Sequence, residues 1–179
     1  MYKNSTYCYS YRGMSLILRN AQHAVPLYRA HLRFSLDIAR SCLKVKNFDL
    51  GIICVNNARI QHINRVYRGQ DSVTDVLSFP FHEDLNPSLL PIPATPDEYN
   101  LGDIYLGVAF IYEQCQKTQE DYRSILTITA VHGLCHLLGH KHNNPEKWKQ
   151  QMFEKETEIL NEINRVTGSK LKPLSTNHY

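Results

Sequence analysis

Three histidines with a regular spacing are the strongest chemical feature of the sequence. His132 and His136 are four residues apart in a segment with a helical apolar pattern, so both side chains project from one face. Gly139 can take the left-handed conformation that ends a helix and turns the chain back towards this face. The turn brings His142 to the same point, where three imidazoles can bind one zinc ion and leave a fourth position for water. The spacing predicts a catalytic metal site on a helix and the turn after it.

A rival third ligand is His140, one of nine histidines in the chain. Because it follows Gly139 directly, we expect its ring to point elsewhere, and His142 is the preferred ligand. The alternative is that these histidines are unrelated surface or core residues. An apolar helix and its turn have no structural need for three of them, which favours metal binding.

The histidine spacing is also that of metzincin proteases, a class of zinc peptidases. In that class the residue after the first histidine is a glutamate that acts as the general base. Here that position is Gly133, and residues 122–145 contain no Asp or Glu. The missing carboxylate argues against peptide hydrolysis and favours a site that acts on an anionic group such as phosphate.

The composition is typical of a globular chain, with 179 residues, 42% hydrophobic and 21% charged. A net charge of +3 does not by itself indicate nucleic-acid binding, so this function must depend on local sites. No stretch approaches 18 uncharged apolar residues, which excludes a transmembrane helix. The five cysteines are scattered without a CxxC pair, which predicts a reducing compartment rather than a disulfide framework.

Apolar periodicity and turn residues predict four strands and five helices. The predicted strands are 14–20, 48–55, 74–81 and 102–108, and the predicted helices are 31–43, 56–67, 110–117, 122–138 and 145–166. Residues 84–100 hold four prolines and are predicted to be a loop. The order of these elements predicts an α+β fold, in which a small mixed β-sheet of about four strands is flanked by about five helices.

The chain is predicted to hold one domain, residues 14–172, between an N-terminal appendage, 1–13, and a C-terminal tail, 173–179. Residues 1–40 contain six Lys or Arg and a single acidic residue, Asp37. This bias is similar to that of mitochondrial targeting segments, although only 1–13 could be removed without cutting into the domain. We expect a mitochondrial location, and otherwise a cytoplasmic or nuclear one.

Three blocks of sequence carry a shared resemblance: HGLCHLLGHKH (132–142), NRVYRGQDSVTDVLSFPF (64–81) and LGDIYLGV (101–108). Together they resemble the YbeY family of metal-dependent endoribonucleases of ribosomal RNA maturation. HGLCHLLGHKH (132–142) resembles the family pattern H-G-x-L-H-L-x-G-x-x-H, with Cys135 in place of its first Leu. NRVYRGQDSVTDVLSFPF (64–81) is similar to the family's N-x-x-Y-R-x(5)-TDVLSFP segment, and LGDIYLGV (101–108) to its L-G-D-I strand. The resemblance covers about residues 14–172 and is greatest to the animal members.

The resemblance implies one bound zinc ion per chain and a basic cleft for single-stranded RNA. Matched by position, His132, His136 and His142 are the metal ligands, and Arg68 is the family's functional arginine. Bacterial members usually have an aromatic residue and an Asp at the positions of His140 and Lys141, which puts a carboxylate role at 141 in doubt. The implied partners are small-subunit ribosomal RNA and ribosomal small-subunit proteins, with no membrane and no DNA expected.

The position of Arg68 in the sequence indicates a phosphate-binding role independently of the family resemblance. Arg68 ends a predicted helix before a glycine-containing turn, where its guanidinium could bind a scissile phosphate with two hydrogen bonds. The alternatives are a solvated helix end and a salt bridge to Asp71. Arg59 and Arg65 precede it on the same helix and, with Lys141, could guide the RNA backbone electrostatically.

The hypothesis is therefore a zinc-dependent endoribonuclease specific for single strands, with catalytic residues His132 and Arg68. The zinc would polarise the phosphate or lower the pKa of a bound water, and Arg68 would stabilise the transition state. The rival functions are a metzincin-like zinc peptidase and a non-catalytic ribosome-assembly factor with a structural zinc. Three further polar residues fit capping or strand-edge hydrogen bonding better than a role in a pocket: Asp75, Ser78 and Asp103.

Overall fold

The computed structural model describes residues 15–83, 85–87, 89–140 and 145–173, without the side chains of 145–149. The strands are β1 Leu16–Asn20, β2 Asp49–Val55, β3 Val76–Pro80 and β4 Asn100–Gly107. The helices are α1 Arg29–Cys42, α2 Asn57–Arg68, α3 Val108–Thr118, α4 Tyr122–Leu137 and α5 Pro145–Thr167. The predicted α+β fold is confirmed. The predicted appendage, 1–13, and nearly all of the predicted tail lie outside the described residues.

The four strands form one mixed sheet in the order β1-β2-β4-β3. β1, β2 and β4 are parallel to one another, while β3 is antiparallel to β4 and forms an edge. Parallel neighbours need a crossover connection, and α1 supplies it between β1 and β2. The sheet is therefore built from a parallel unit with one antiparallel edge strand.

The two faces of the sheet are covered unequally. On one face, alternate residues such as Leu18, Ile52 and Leu106 join the main hydrophobic core, which α1, α4 and α5 complete. On the other face, Ile60 and Ile63 of α2 pack in a small second cluster. Helices α2 and α4 therefore lie on opposite sides of the sheet. None of the helices that the structure describes is long and apolar enough to cross a bilayer.

The helices that carry the candidate residues have well-defined ends. The Asn56 side chain accepts a hydrogen bond from the backbone N–H of Arg59 at 2.9 Å and begins α2. Asp121 does the same for Ser124 at the start of α4. Gly69 follows α2 with a φ of +68°, the left-handed conformation that a helix end favours. These ends fix Arg68 at the last turn of α2.

The prediction that residues 84–100 form only a loop is wrong at its C-terminal end. Pro96–Glu98 is a turn of 3-10 helix, and β4 already begins at Asn100. The proline occupies the first helical position, where its missing N–H costs no hydrogen bond. The prolines therefore exclude long elements from this segment but allow a single helical turn.

Gly133 allows α4 to lie close to the sheet. A Cβ atom built on it would be 2.9 Å from Ile104 Cγ2 and 3.2 Å from both Ser78 Oγ and Val76 Cγ2. These atoms belong to β3 and β4, so position 133 faces the sheet and has no room for a side chain. The glycine that distinguishes this chain from a metzincin thus has a packing function.

We expect Gly133→Ala to lower the free energy of unfolding by about 1–3 kcal/mol, because the added methyl group overpacks the contact between α4 and the sheet. Gly133→Val should destabilise the protein further. Urea denaturation followed by circular dichroism measures both changes. A Gly133→Val protein as stable as the original would contradict this packing.

Candidate functional site

His132 and His136 face each other on α4. Their Nε2 atoms are 2.9 Å apart, and the ring planes are nearly perpendicular, with centroids 4.5 Å apart. His132 is buried, with 3% of its surface exposed, and His136 is half-buried. The predicted convergence of these two side chains is therefore present in the fold.

Hydrogen bonds at the other ring nitrogens determine the tautomers. His136 Nδ1 is 2.9 Å from the backbone carbonyl oxygen of His140, which can only accept, so this Nδ1 carries the proton. His132 Nδ1 is 2.5 Å from Glu156 Oε1, and an ionised carboxylate also only accepts. Each neutral ring then has its lone pair on Nε2, and the two lone pairs point at each other. This arrangement is the one that two histidine ligands of a single cation adopt.

The donor set fits a divalent metal ion. Imidazole nitrogens bind zinc at about 2.0–2.1 Å, so two nitrogens 2.9 Å apart can contact the same ion. Metal-binding histidines commonly donate their other N–H to a carboxylate or a carbonyl, as both do here. Within the described part of the chain, no third metal-binding side chain joins the pair. His142 and Lys141 lie outside the described residues, so their predicted roles stay predictions.

Glu156 is a site residue that the sequence analysis missed. It lies on α5 with only 3% of its surface exposed, and its carboxylate holds the Nδ1 proton of His132. A buried carboxylate is costly unless it is paired, and His132 supplies the pair. The sequence contains a signal for it, since the apolar face of α5 includes Met152, Ile159 and Ile163, and position 156 falls on the same face.

The structure separates His140 from the pair. Its backbone carbonyl supports His136, whereas its ring lines a cavity of about 270 Å³ with Cys42 and Lys155. Burial lowers the pKa of His140, and the charge of Lys155 lowers it further. Gly139 makes this arrangement possible through a φ of +90°, as the sequence predicts. The expectation that the His140 ring points elsewhere agrees with this placement.

Arg68 lies on the other side of the sheet from the histidine pair. It is exposed at the end of α2, and within the described residues its side chain makes no hydrogen bond or ion pair. The alternative of a salt bridge to Asp71 is not realised, because Asp71 accepts a hydrogen bond from Gln61 instead. The guanidinium of Arg68 is therefore available to a ligand.

The edge strand β3 contacts α4 on one face and α2 on the other. Ser78 donates a hydrogen bond to the Gly133 carbonyl at 3.1 Å on the α4 side. Its neighbour Phe79 packs against Tyr67 on the α2 side, with ring centroids 5.0 Å apart. Adjacent residues of a strand point to opposite faces. A ligand that wraps around β3 could therefore contact both Arg68 and the histidine pair.

The other polar residues named from the sequence have mainly structural contacts. Asp75 accepts hydrogen bonds from Thr74 Oγ1 and from the N–H of Val76, which starts β3. Asp103 is exposed on β4, where its carboxylate lies over Gly51. The contacts of Asp75 match the capping role expected for it, whereas Ser78 differs from the expectation because its hydroxyl donates to the Gly133 carbonyl on α4.

The buried cysteines are not part of the candidate site. Burial raises the pKa of Cys54 to about 12 and raises that of Cys135 well above its usual value. Neutral thiols are poor metal ligands and nucleophiles. Although Cys135 precedes His136, its sulfur behaves as a small core group.

The fold and the site define an α+β protein whose candidate centre is a carboxylate-supported pair of histidines on a buried helix. The model of the family "Endoribonuclease YbeY" matches residues 18–164, and the chain belongs to this family. It is 56% identical over 162 residues to endoribonuclease YbeY of Homo sapiens, covering 90% of this chain and 96% of that protein.

Two more distant comparisons are consistent with this family and with the fold. The chain is 33% identical over 156 residues to endoribonuclease YbeY of Clostridioides difficile, covering 84% of this chain and 97% of that protein. The solution structure of TM1509 from Thermotoga maritima superposes with a TM-score of 0.54 and 19% identity, covering 89% of this chain and 98% of that chain. This last similarity shows the fold alone. Both the family expected from the three sequence blocks and the greater similarity to an animal member are confirmed.

Proposed function

We propose that this protein is a zinc-dependent endoribonuclease that cuts single-stranded RNA, with small-subunit ribosomal RNA as its substrate in maturation and quality control. Membership of the endoribonuclease YbeY family supports the reaction class. The observation that carries the metal dependence is the pair of Nε2 atoms 2.9 Å apart, each on a ring whose Nδ1 proton is already held.

His132, His136 and His142 would hold the ion. A divalent ion bound there supplies a Lewis acid that stabilises negative charge on phosphodiester oxygens. Glu156 keeps the Nδ1 proton on His132 and orients the ring, and the His140 carbonyl does the same for His136. Because hydrogen bonds at Nδ1 fix the orientation of both rings, their Nε2 atoms need little reorganisation when a ligand binds.

Arg68 would bind the RNA backbone from the other side of β3. Its guanidinium can donate two parallel hydrogen bonds to a phosphate of the bound strand. Contact with both sides of the edge strand requires a substrate that bends sharply around it. A single strand can do this, whereas a stiff duplex cannot, which accounts for the proposed strand specificity.

The packing of Gly133 disfavours the peptidase alternative. A glutamate at this position would have to enter the contact with Ile104 and Ser78. The buried carboxylate near the pair, Glu156, accepts the Nδ1 proton of His132 and so lies on the opposite side of this ring from Nε2, the atom that faces His136. The general base of a metzincin therefore has no counterpart among the described residues beside His132 and His136.

The test is cleavage of an end-labelled, unstructured RNA oligonucleotide by the full chain. We expect internal cuts in the single strand, little cleavage of the same sequence in a duplex, loss of activity after chelation and recovery with Zn²⁺. The ends of the products identify the attacking group: a 2′,3′-cyclic phosphate indicates the RNA 2′-hydroxyl and excludes simple attack by water.

Cleavage that survives complete metal removal would overturn the metal dependence. Metal-loaded protein that leaves single-stranded RNA intact would instead favour the non-catalytic assembly factor with a structural zinc. The proposed mitochondrial location and the ribosomal small-subunit proteins as partners depend on the basic bias of residues 1–40 and on the family resemblance.

A further inference from the structure

Part of the sheet face beneath α2 is open to solvent. The side chains of α2 cover Val55 and Leu77 near one end of the strands. Towards the other end the same face continues over β1 and β4, where Ile17 is 59% exposed and Asp103 is also exposed. No described helix packs over this part of the sheet, whereas the opposite face is buried beneath α1 and α4.

Three aromatic rings form a continuous row between α2 and this open face. Tyr67, in the last turn of α2, is 70% exposed and meets Phe79 edge to face, with centroids 5.0 Å apart. Phe79 in turn meets Tyr105 at 5.6 Å with nearly perpendicular planes. Phe79 contacts Tyr67 directly, and Tyr105 packs against Phe79, so the Tyr67 ring is fixed while most of its surface faces the solvent.

The Tyr67 end of this row is flanked by positive charge, whereas the exposed Asp103 is the cross-strand neighbour of Phe79. Arg65 and Arg68 occupy the same helical turn as Tyr67, and both are exposed. Arg65 contacts His62 at 3.4 Å, and Arg68 makes no side-chain hydrogen bond within the described residues. The nearest acidic residue along the chain, Asp71, already accepts a hydrogen bond from Gln61. An aromatic surface flanked by two exposed guanidinium groups suits a ligand that combines flat rings with phosphates.

We propose that Tyr67, supported by Phe79 and Tyr105, is a stacking subsite for an unpaired base of the RNA substrate, and that Arg65 and Arg68 hold the phosphates beside it. This inference rests on the proposed function, because it takes the ligand to be single-stranded RNA. The subsite lies across β3 from the histidine pair, so it binds nucleotides away from the bond that is cut. Bases in a duplex are stacked on one another and are not available to it, which reinforces selection of single strands.

The test is binding of two probes to the metal-stripped full chain, measured by fluorescence anisotropy. One probe is a twelve-nucleotide oligoadenylate, and the other is an abasic ribose-phosphate chain of the same length. Tyr67→Ala should weaken binding of oligoadenylate by about 10- to 100-fold and leave abasic binding unchanged. Tyr67→Phe, which keeps the ring, should bind as the original does, and Arg68→Ala should weaken both probes.

The matched control is Tyr28→Ala, which removes another exposed tyrosine, one that packs under Arg123 instead. It should change neither affinity. Equal binding of oligoadenylate by Tyr67→Ala and the original, or an equal loss for both probes, overturns the subsite. A Tyr67→Ala protein that loses a dimer in sedimentation while RNA binding is unchanged also overturns it and assigns the surface to a second copy. Base-dependent binding without cleavage would leave the subsite standing and contradict only the proposed function.

Discussion

Replacing His136 with alanine is expected to remove zinc binding and RNA cleavage together. The Nδ1 proton of His136 is donated to the His140 carbonyl. Its Nε2 atom, which faces His132, is therefore the atom that would bind the zinc ion. Residues that only support a metal ligand change metal affinity by about 10- to 100-fold, and loss of a ligand itself should exceed that range. Metal content after gel filtration and the initial rate of oligonucleotide cleavage measure the two effects.

The matched control for this variant is His23→Ala, which removes an exposed histidine outside the candidate site. It should keep both zinc and activity. A His136→Ala protein that retains one zinc per chain, or that cleaves RNA at the original rate, would contradict the assignment of His136. The unfolding midpoint of each variant should be recorded with its metal content, because bound zinc stabilises the folded state.

Glu156→Gln is expected to have the second-largest effect. The substitution keeps the size of the side chain but removes the charge that faces Nδ1 of the buried His132. Without this charge the proton on Nδ1 is held less firmly, the Nε2 lone pair is a weaker ligand, and the ring is less well oriented. Zinc affinity should fall by about 10- to 100-fold, as measured by competition with a chromophoric chelator.

Glu154→Gln is the control, because Glu154 is an exposed carboxylate on the same helix. It should leave zinc affinity unchanged. Activity of Glu156→Gln should recover at high zinc concentration if the carboxylate acts only by positioning His132. Zinc affinity of Glu156→Gln within twofold of the original would show that this buried pair is structural.

Local patterns predicted most of the elements because each pattern depends on neighbouring residues. The spacing of Ile60 and Ile63 predicts α2, and the helix does bury these residues against the sheet. Element ends are less certain, since a strand and a following helix can share an apolar run. Here β4 stops at Gly107 and α3 begins at Val108, two residues before the predicted start of that helix. The strand order β1-β2-β4-β3 depends on long-range pairing that local patterns do not encode.

The same distinction applies to the candidate site. The pairing of His132 and His136 is a property of one helix and follows from a spacing of four residues. The role of Glu156 depends on how α5 packs against α4, and the separation of Arg68 from the pair depends on which face of the sheet α2 covers. Neither packing arrangement can be read from a single segment, so a sequence motif finds the ligands before it finds the groups that support them.

X-ray absorption at the zinc edge of the purified full chain tests the central claim most directly. We expect one zinc per chain with three imidazole nitrogens at about 2.0–2.1 Å, no sulfur ligand and a fourth position left to solvent. The same measurement on His136→Ala should show loss of this coordination. A chain that binds no zinc stoichiometrically, or a zinc enclosed by four protein ligands, would contradict a catalytic metal centre at His132 and His136.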